Sequence, residues 1–72
     1  MELEEFLNKI GKKIKKLRKE QGLTQENLDE GDNAVPVRTL QDIEAGKANV
    51  TIESLLKISK HLKVKPKDLI DV

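Results

Sequence analysis

Apolar residues recur along the first part of the chain at intervals of three and four. The members of this stripe are Leu3, Phe6, Leu7, Ile10, Ile14 and Leu17. Such spacing places side chains on one face of an α-helix, and the lysine-rich residues between them lie on the other face. The pattern predicts a first helix over residues 3–20, closed by Gly22, because glycine readily adopts the left-handed conformation that ends helices.

Two shorter helices are predicted after this stripe. Thr24 is a good capping residue and predicts a second helix over residues 24–30. Pro36 fits the first position of a helix, where its missing amide costs nothing, and predicts a third helix over residues 36–45. Gly46 then ends the third helix.

The remainder of the chain predicts a fourth helix over residues 51–62 and a fifth over residues 66–71. Thr51 caps the fourth helix and Pro66 opens the fifth. The residues expected on the buried side of the fourth helix are Ile52, Leu55, Leu56, Ser59 and Leu62. Five helices joined by short polar turns predict an all-α fold, a compact five-helix bundle that forms a single domain over residues 1–72.

The size and composition narrow the class of protein. A chain of 72 residues buries a small core and has little stability to spare. It has no cysteine, so neither a disulfide framework nor a thiolate metal site is available. No apolar run approaches the roughly 20 residues that span a bilayer, and the acidic start lacks the basic leader of a signal peptide. We therefore expect a cytoplasmic protein without a membrane partner.

The charges are unevenly distributed, although the net charge is only +1. Seven basic residues occur between positions 9 and 19 without an acid among them, whereas acids predominate between positions 26 and 44. Such asymmetry indicates a nucleic-acid surface on one element, but lysines on a solvated helix give the same pattern. The charge pattern alone leaves these two interpretations equal.

Several kinds of site are not supported by the residue types present. His61 is the only histidine and has neither cysteine nor an acid cluster at ligand spacing beside it, so it predicts neither a metal site nor a catalytic pair. Phe6 is the only aromatic residue, which leaves no stacking platform for unpaired RNA bases. The sequence therefore points away from an enzyme, a cofactor, a small-molecule substrate and a sequence-specific RNA binder.

Three segments, in order and at suitable spacing, carry a resemblance to a known family. They are IGKKIKKLRKEQGLTQENL from Ile10, VPVRTLQDIEAGK from Val35 and TIESLLKISKHLKVKPKDL from Thr51. Together they resemble the XRE family of helix-turn-helix proteins, the phage repressor and Cro type. The resemblance implies that the second and third helices form the DNA-binding unit, with the third in the major groove, and that the protein binds double-stranded DNA as a homodimer.

The resemblance also implies a structural ion pair. Members of the family pair the arginine of the first helix with a glutamate near the end of the third, and these positions are Arg18 and Glu44 here. An acid beside the core is tolerable when a guanidinium satisfies it through paired hydrogen bonds. We expect this pair to join the two helices.

The outward face of the third helix offers side chains for base recognition, namely Arg38, Gln41 and Asp42, with Val37 and Thr39 at its edges. Arg38 matches guanine, Gln41 matches adenine, and the methyl groups of Val37 or Thr39 match the thymine methyl. Asp42 has two interpretations. It can accept from a cytosine amine, but the charge density of the phosphates favours simple repulsion.

Backbone contacts are expected from three other residues. Gln25 starts the second helix, and the matching glutamine of the family contacts a phosphate. Without the resemblance, Gln25 is interpreted as ordinary helix surface, since glutamine is a common helix former. Lys47 and Asn49 follow the third helix and fit phosphate contacts that fix register without reading sequence.

Three features depart from the family pattern. The segment from Leu28 to Val35 is one residue longer than the usual turn, and Asp29 stands where a small alanine is common. Lys63 replaces the usual glycine after the fourth helix. The acids Asp29, Glu30 and Asp32 surround the DNA-binding unit and weaken its attraction to phosphates.

The sequence thus predicts a sequence-specific, DNA-binding transcriptional regulator. The alternative is a protein-interaction module on the same fold, such as an antitoxin or an adaptor, which would use the acidic surface around the second and third helices. Dimerisation is implied by the resemblance and has little other support, namely the apolar residues Leu69, Ile70 and Val72.

Overall fold

A computed structural model describes all 72 residues of the chain. It contains four α-helices and one short 3-10 turn, and no strand, so the all-α class is confirmed. The helices are α1 (Leu3–Glu20), α2 (Val37–Glu44), α3 (Ile52–Leu62) and α4 (Pro66–Ile70), and the 3-10 turn (Glu26–Leu28) lies between α1 and α2. None of these helices combines the length and the apolar character needed to cross a lipid bilayer.

The segment predicted as a second helix, residues 24–30, is not an α-helix. The amides of residues 27–29 donate to carbonyls three residues earlier, which is the pattern of a 3-10 turn. An α-helix over these residues would instead need amides that donate to carbonyls four residues earlier. The carbonyl of Leu28 accepts from the amide of Val35 at 2.7 Å, so the chain turns back after Leu28, and the structure has four α-helices rather than five.

The core is entirely aliphatic and is shared by all four helices, the 3-10 turn and the segment that follows it. Its members are Ile10, Ile14, Leu28, Val35, Leu40, Ile43, Leu55, Ile58, Leu62 and Leu69. The α3 helix corresponds to the fourth helix expected from the sequence. Its predicted buried side was wrong at two positions, because Ile52 is 81% exposed and Leu56 is also exposed, whereas Ile58 is fully buried. Leu56 lies about 100° around the helix from the buried Leu55, and Ile52 is the first residue of α3.

Three of the helices, α1, α2 and α3, end in the same way, through a residue in the left-handed conformation, and after α1 this residue is Gly22 with φ of 71°. After α2, Gly46 has φ of 72° and its amide donates to Ile43, while the amide of Lys47 donates to Asp42. After α3, Lys63 takes the equivalent position with φ of 58°. A side chain in this conformation costs about 1 kcal/mol relative to glycine, so Lys63 is a mildly strained helix end.

Gly11 of α1 lies in close contact with the last turn of α2. A Cβ atom on this residue would lie 2.7 Å from the carbonyl oxygen of Glu44 and would also overlap the carbonyl oxygen of Ile43. Only glycine therefore allows the middle of α1 to lie against the last turn of α2. Arg18 lies two turns further along the same face of α1, which directs its side chain towards Glu44.

Candidate nucleic-acid interface

Arg18 and Glu44 form a buried ion pair between α1 and the end of α2. Arg18 Nε donates to Glu44 Oε2 at 2.7 Å, and Arg18 Nη2 donates to Glu44 Oε1 at 3.0 Å. The two side chains are only 8% and 4% exposed. The geometry is bidentate, which is the strongest arrangement of a guanidinium and a carboxylate. The structure thus brings together the two residues that the resemblance paired.

The guanidinium of Arg18 is satisfied on a third side as well. Its Nη1 donates to the carbonyl oxygen of Leu23 at 2.8 Å, which holds the chain between α1 and the 3-10 turn. Hydrogen bonding to Glu44 raises the pKa of Arg18 above its usual value, burial lowers it, and the charges of Glu44 and Glu26 raise it further. The guanidinium therefore remains charged, and the two partners depend on each other for their hydrogen bonds.

Gln25 connects this buried pair to the surface of α2. Its Nε2 donates to Glu44 Oε1 at 3.1 Å, and its Oε1 accepts from Gln41 Nε2 at 3.3 Å. The side chain is half-buried at the start of the 3-10 turn. Neither interpretation from the sequence, a phosphate contact or plain helix surface, included these two hydrogen bonds.

The outward face of α2 carries the residues expected to contact bases. Arg38, Thr39 and Gln41 are exposed, while Val37 and Asp42 are half-buried. Arg38 is 86% exposed and its Nε lies 3.6 Å from Asp42 Oδ2. Exposed ion pairs of this kind contribute little energy, so Arg38 remains free to leave Asp42 for a stronger partner. Asp42 consequently competes with any acceptor that approaches Arg38.

The loop after α2 carries Lys47 and Asn49, which are both exposed. Lys47 lies close to the end of α2 because its amide donates to the carbonyl of Asp42 at 2.9 Å. Asn49 lies further away, where it lines the edge of an apolar groove together with Leu3 and Ile52. The structure therefore keeps Lys47 at the C-terminal end of α2 but places Asn49 nearer to the N-terminal end of α1.

His61 makes a contact with a segment that is distant from it in the sequence. Its Nε2 lies 2.8 Å from the carbonyl oxygen of Asn33, in the turn that precedes α2. The contact joins the last turn of α3 to the segment that is one residue longer than the family pattern. No local sequence signal reveals it, because the two residues are 28 positions apart.

Charged residues on α1 and in the segment between α1 and α2 are exposed. On α1 the exposed lysines are Lys9, Lys12, Lys15, Lys16 and Lys19. The acids that follow α1, Glu26, Asp29, Glu30 and Asp32, are exposed as well. A ligand with phosphate groups would thus meet cations from α1 and repulsion from the turn region, which predicts a marked dependence of its binding on salt.

Comparison with known proteins adds to this geometry. A family model described as helix-turn-helix matches residues 14–69, which include both members of the ion pair and all of α2. No curated protein sequence matches the chain. Among solved structures, the chain is similar to the restriction-modification controller protein C.AhdI from Aeromonas hydrophila, with a TM-score of 0.80 and 30% sequence identity. This similarity covers 88% of the present chain and 94% of that protein.

Proposed function

Because the chain belongs to the helix-turn-helix family, as the resemblance to the XRE type predicted, we propose that it regulates transcription by placing α2 in the major groove of double-stranded DNA. The observation that carries the proposal is the exposed face of α2, which presents Arg38 and Gln41 away from the core. The buried pair of Arg18 and Glu44 fixes this helix to α1. The similarity to a controller protein supports the regulatory role.

Each side chain on this face has a matching partner in the groove. Arg38 donates to O6 and N7 of guanine, and Gln41 forms two hydrogen bonds with adenine. The methyl groups of Val37 and Thr39 suit a thymine methyl, while Asp42 repels phosphates and holds Arg38 until DNA displaces it. These contacts give the protein its sequence preference.

Phosphate contacts supply most of the affinity and carry no sequence information. Lys47 is the best placed residue for this role, since it follows α2 directly, and Gln25 can contribute its remaining amide hydrogen. Asn49 lies further from the face and contributes only if the DNA extends towards the N-terminal end of α1.

The test is selection of binding sites from random DNA duplexes, followed by titration with salt. We expect a recurring motif and a preference for guanine at one position that falls by about five- to 100-fold in Arg38→Ala, because a bidentate contact is lost. Lys47→Ala is the matched control. It loses only a phosphate contact, so it weakens all sequences evenly and lowers the salt slope by about one.

Absence of any enriched motif, even at low salt, would overturn the DNA-reading proposal and favour a protein-interaction module. If Arg38→Ala leaves the selected motif unaltered, the protein binds DNA, but α2 does not recognise the bases. Both outcomes are visible in one selection experiment, since the motif and its position-specific loss are scored together.

We also propose that the protein acts as a homodimer through an apolar groove lined by Leu3, Phe6, Val50, Ile52 and Ile70. The groove has a volume of about 270 Å³, and three of these apolar side chains are exposed at its edge. A two-fold interface presents the same surface from both copies, and such a dimer binds two half-sites about one turn of DNA apart. The predicted contribution of Leu69 was wrong, because this side chain is buried in the core.

Sedimentation of the wild-type chain and of Ile52→Lys tests the dimer. We expect the wild type to sediment as a dimer at micromolar concentration and Ile52→Lys as a monomer, because a charge in an apolar interface lacks a partner. The control is Lys60→Ala, an exposed position on the same helix, which should leave the mass unchanged. A monomeric wild type, or an Ile52→Lys dimer, would refute the interface.

A further inference from the structure

We propose that the buried Glu44 carboxylate, acting through Gln25, fixes the orientation of the Gln41 amide and thereby makes Gln41 select adenine. Gln25 is then a positioning residue for base recognition, in addition to any phosphate contact that it makes. The inference rests on the proposed function, because it concerns how the same surface reads DNA. It follows from a continuous chain of hydrogen bonds that starts at Arg18 and ends at the exposed side chain of Gln41.

The first step is the chemistry of Glu44. Its Oε1 lies 3.0 Å from Arg18 Nη2 and 3.1 Å from Gln25 Nε2. An ionised carboxylate has no hydrogen to donate, so it accepts from every neighbour. Gln25 must therefore direct its NH2 group inward to Glu44. The amide of a free glutamine rotates between two orientations, but the charge of Glu44 permits only one of them here.

The second step passes this orientation to α2. Since the NH2 group of Gln25 is directed inward, its Oε1 is directed towards Gln41, whose Nε2 lies 3.3 Å away. An oxygen accepts hydrogen bonds and does not donate them. Gln41 must therefore offer its NH2 group to Gln25, because the reversed amide would place two oxygens opposite each other. The orientation of the exposed amide is thus set by a carboxylate that is itself buried.

The third step concerns the hydrogen-bonding groups that Gln41 retains for contact with a base. One hydrogen of its NH2 group is used by Gln25, so one N–H and the oxygen Oε1 remain. Adenine needs one donor for N7 and one acceptor for its N6 amine, and these are the two groups that remain. Guanine presents two acceptors, N7 and O6, and would need both hydrogens of the NH2 group. The chain of hydrogen bonds therefore favours adenine and disfavours guanine at this position.

Holding an exposed side chain in its binding orientation also reduces the ordering that binding requires. Gln41 is a long side chain on the surface of α2 and, without Gln25, would sample many rotamers. The contact with Gln25 removes part of that freedom before DNA arrives. Position 25 thus influences both which base is selected and how strongly.

The variant Gln25→Lys separates this positioning role from the other roles of Gln25. A lysine ammonium still donates to Glu44 and still attracts a phosphate, but it has no acceptor for the NH2 group of Gln41. Gln41→Ala identifies the base pair that Gln41 contacts. The measured quantity is the ratio of affinities for duplexes with adenine or guanine at that position, since a uniform change in affinity cancels in the ratio.

We expect this ratio to fall about fivefold or more in Gln25→Lys, and to change no further when Gln25→Lys is added to Gln41→Ala. Gln25→Met, which keeps the length of the side chain but neither donates nor accepts strongly, should give a similar loss. Melting temperatures of all variants show whether each one folds. Gln25→Met therefore keeps the test decisive if Gln25→Lys does not fold.

Two results would overturn the inference while the proposed function stands. In the first, the wild type selects a motif, and Gln25→Lys and Gln25→Met retain the wild-type ratio. In the second, Gln25→Lys lowers the ratio equally with and without Gln41, so that no coupling exists between the two positions. Failure of the wild type to select any motif is a different result, because it refutes the proposed function itself.

Discussion

Replacing either Arg18 or Glu44 by alanine is expected to lower the free energy of unfolding by about 3–5 kcal/mol. Each replacement leaves a buried charge without its partner, and the bidentate hydrogen bonds between the two groups are lost together. A small domain is stable by only about 5–15 kcal/mol, so each variant should be partly unfolded at moderate temperature. The structure leaves no buried side-chain polar atom unsatisfied, so either replacement creates the first such group.

Chemical denaturation, monitored through the helix content, measures this decrease in the free energy of unfolding. Lys16→Ala and Lys19→Ala are matched controls on the same helix, because both lysines are exposed, and they should change stability by about 0.5 kcal/mol or less. Replacing both partners with apolar residues, as in Arg18→Met with Glu44→Leu, should cost less than either alanine variant. If the alanine variants at positions 18 and 44 have the same free energy of unfolding as the lysine controls, the ion pair does not hold α1 to α2.

Gly11→Ala is expected to lower the free energy of unfolding by about 3 kcal/mol, although the same change at an exposed helix position would raise it by up to about 1 kcal/mol. The added methyl group would overlap the carbonyl oxygens of Ile43 and Glu44, which belong to the backbone of α2. Backbone atoms cannot rotate away as a flexible side chain can. The helices must therefore separate, which also weakens the contact between Arg18 and Glu44.

Thermal and chemical denaturation test this expectation, with Lys12→Ala as the control. Lys12 is the exposed neighbour of Gly11, so its replacement changes the same turn of α1 without approaching α2. A Gly11→Ala variant that is as stable as the wild type would mean that α1 and α2 can move apart without cost, and that Gly11 is not required by their packing.

The α-helices were largely predictable from the sequence, because each has a local cause. The stripe of α1, the cap at Thr51 and the glycine after α2 act over a few residues. The 3-10 turn was not predictable in the same way. It ends where the carbonyl of Leu28 accepts from the amide of Val35, seven residues further along the chain. A hydrogen bond made by the chain after it has turned away leaves no local pattern.

The candidate site was predictable only in part. Periodicity alone placed Arg38 and Gln41 on the outward face of α2, whereas the pairing of Arg18 with Glu44 came from the family resemblance. Neither the periodicity nor the resemblance predicts the hydrogen bond between Gln25 and Gln41, since it depends on the rotamers of two side chains 16 positions apart. The role of Gly11 was not predictable either, because a glycine within a helix indicates close packing only when the position of the neighbouring backbone is known.

The brevity of α2 has a consequence for engineering. An isolated helix of eight residues is well below the roughly 12–15 that remain helical in water, so α2 keeps its shape only through its neighbours. Grafting those residues onto an unrelated scaffold would transfer the amino-acid sequence of α2 but not its helical conformation. A graft that keeps its function must also include Gly11 and Arg18 of α1. The smallest transferable unit is therefore discontinuous in the sequence.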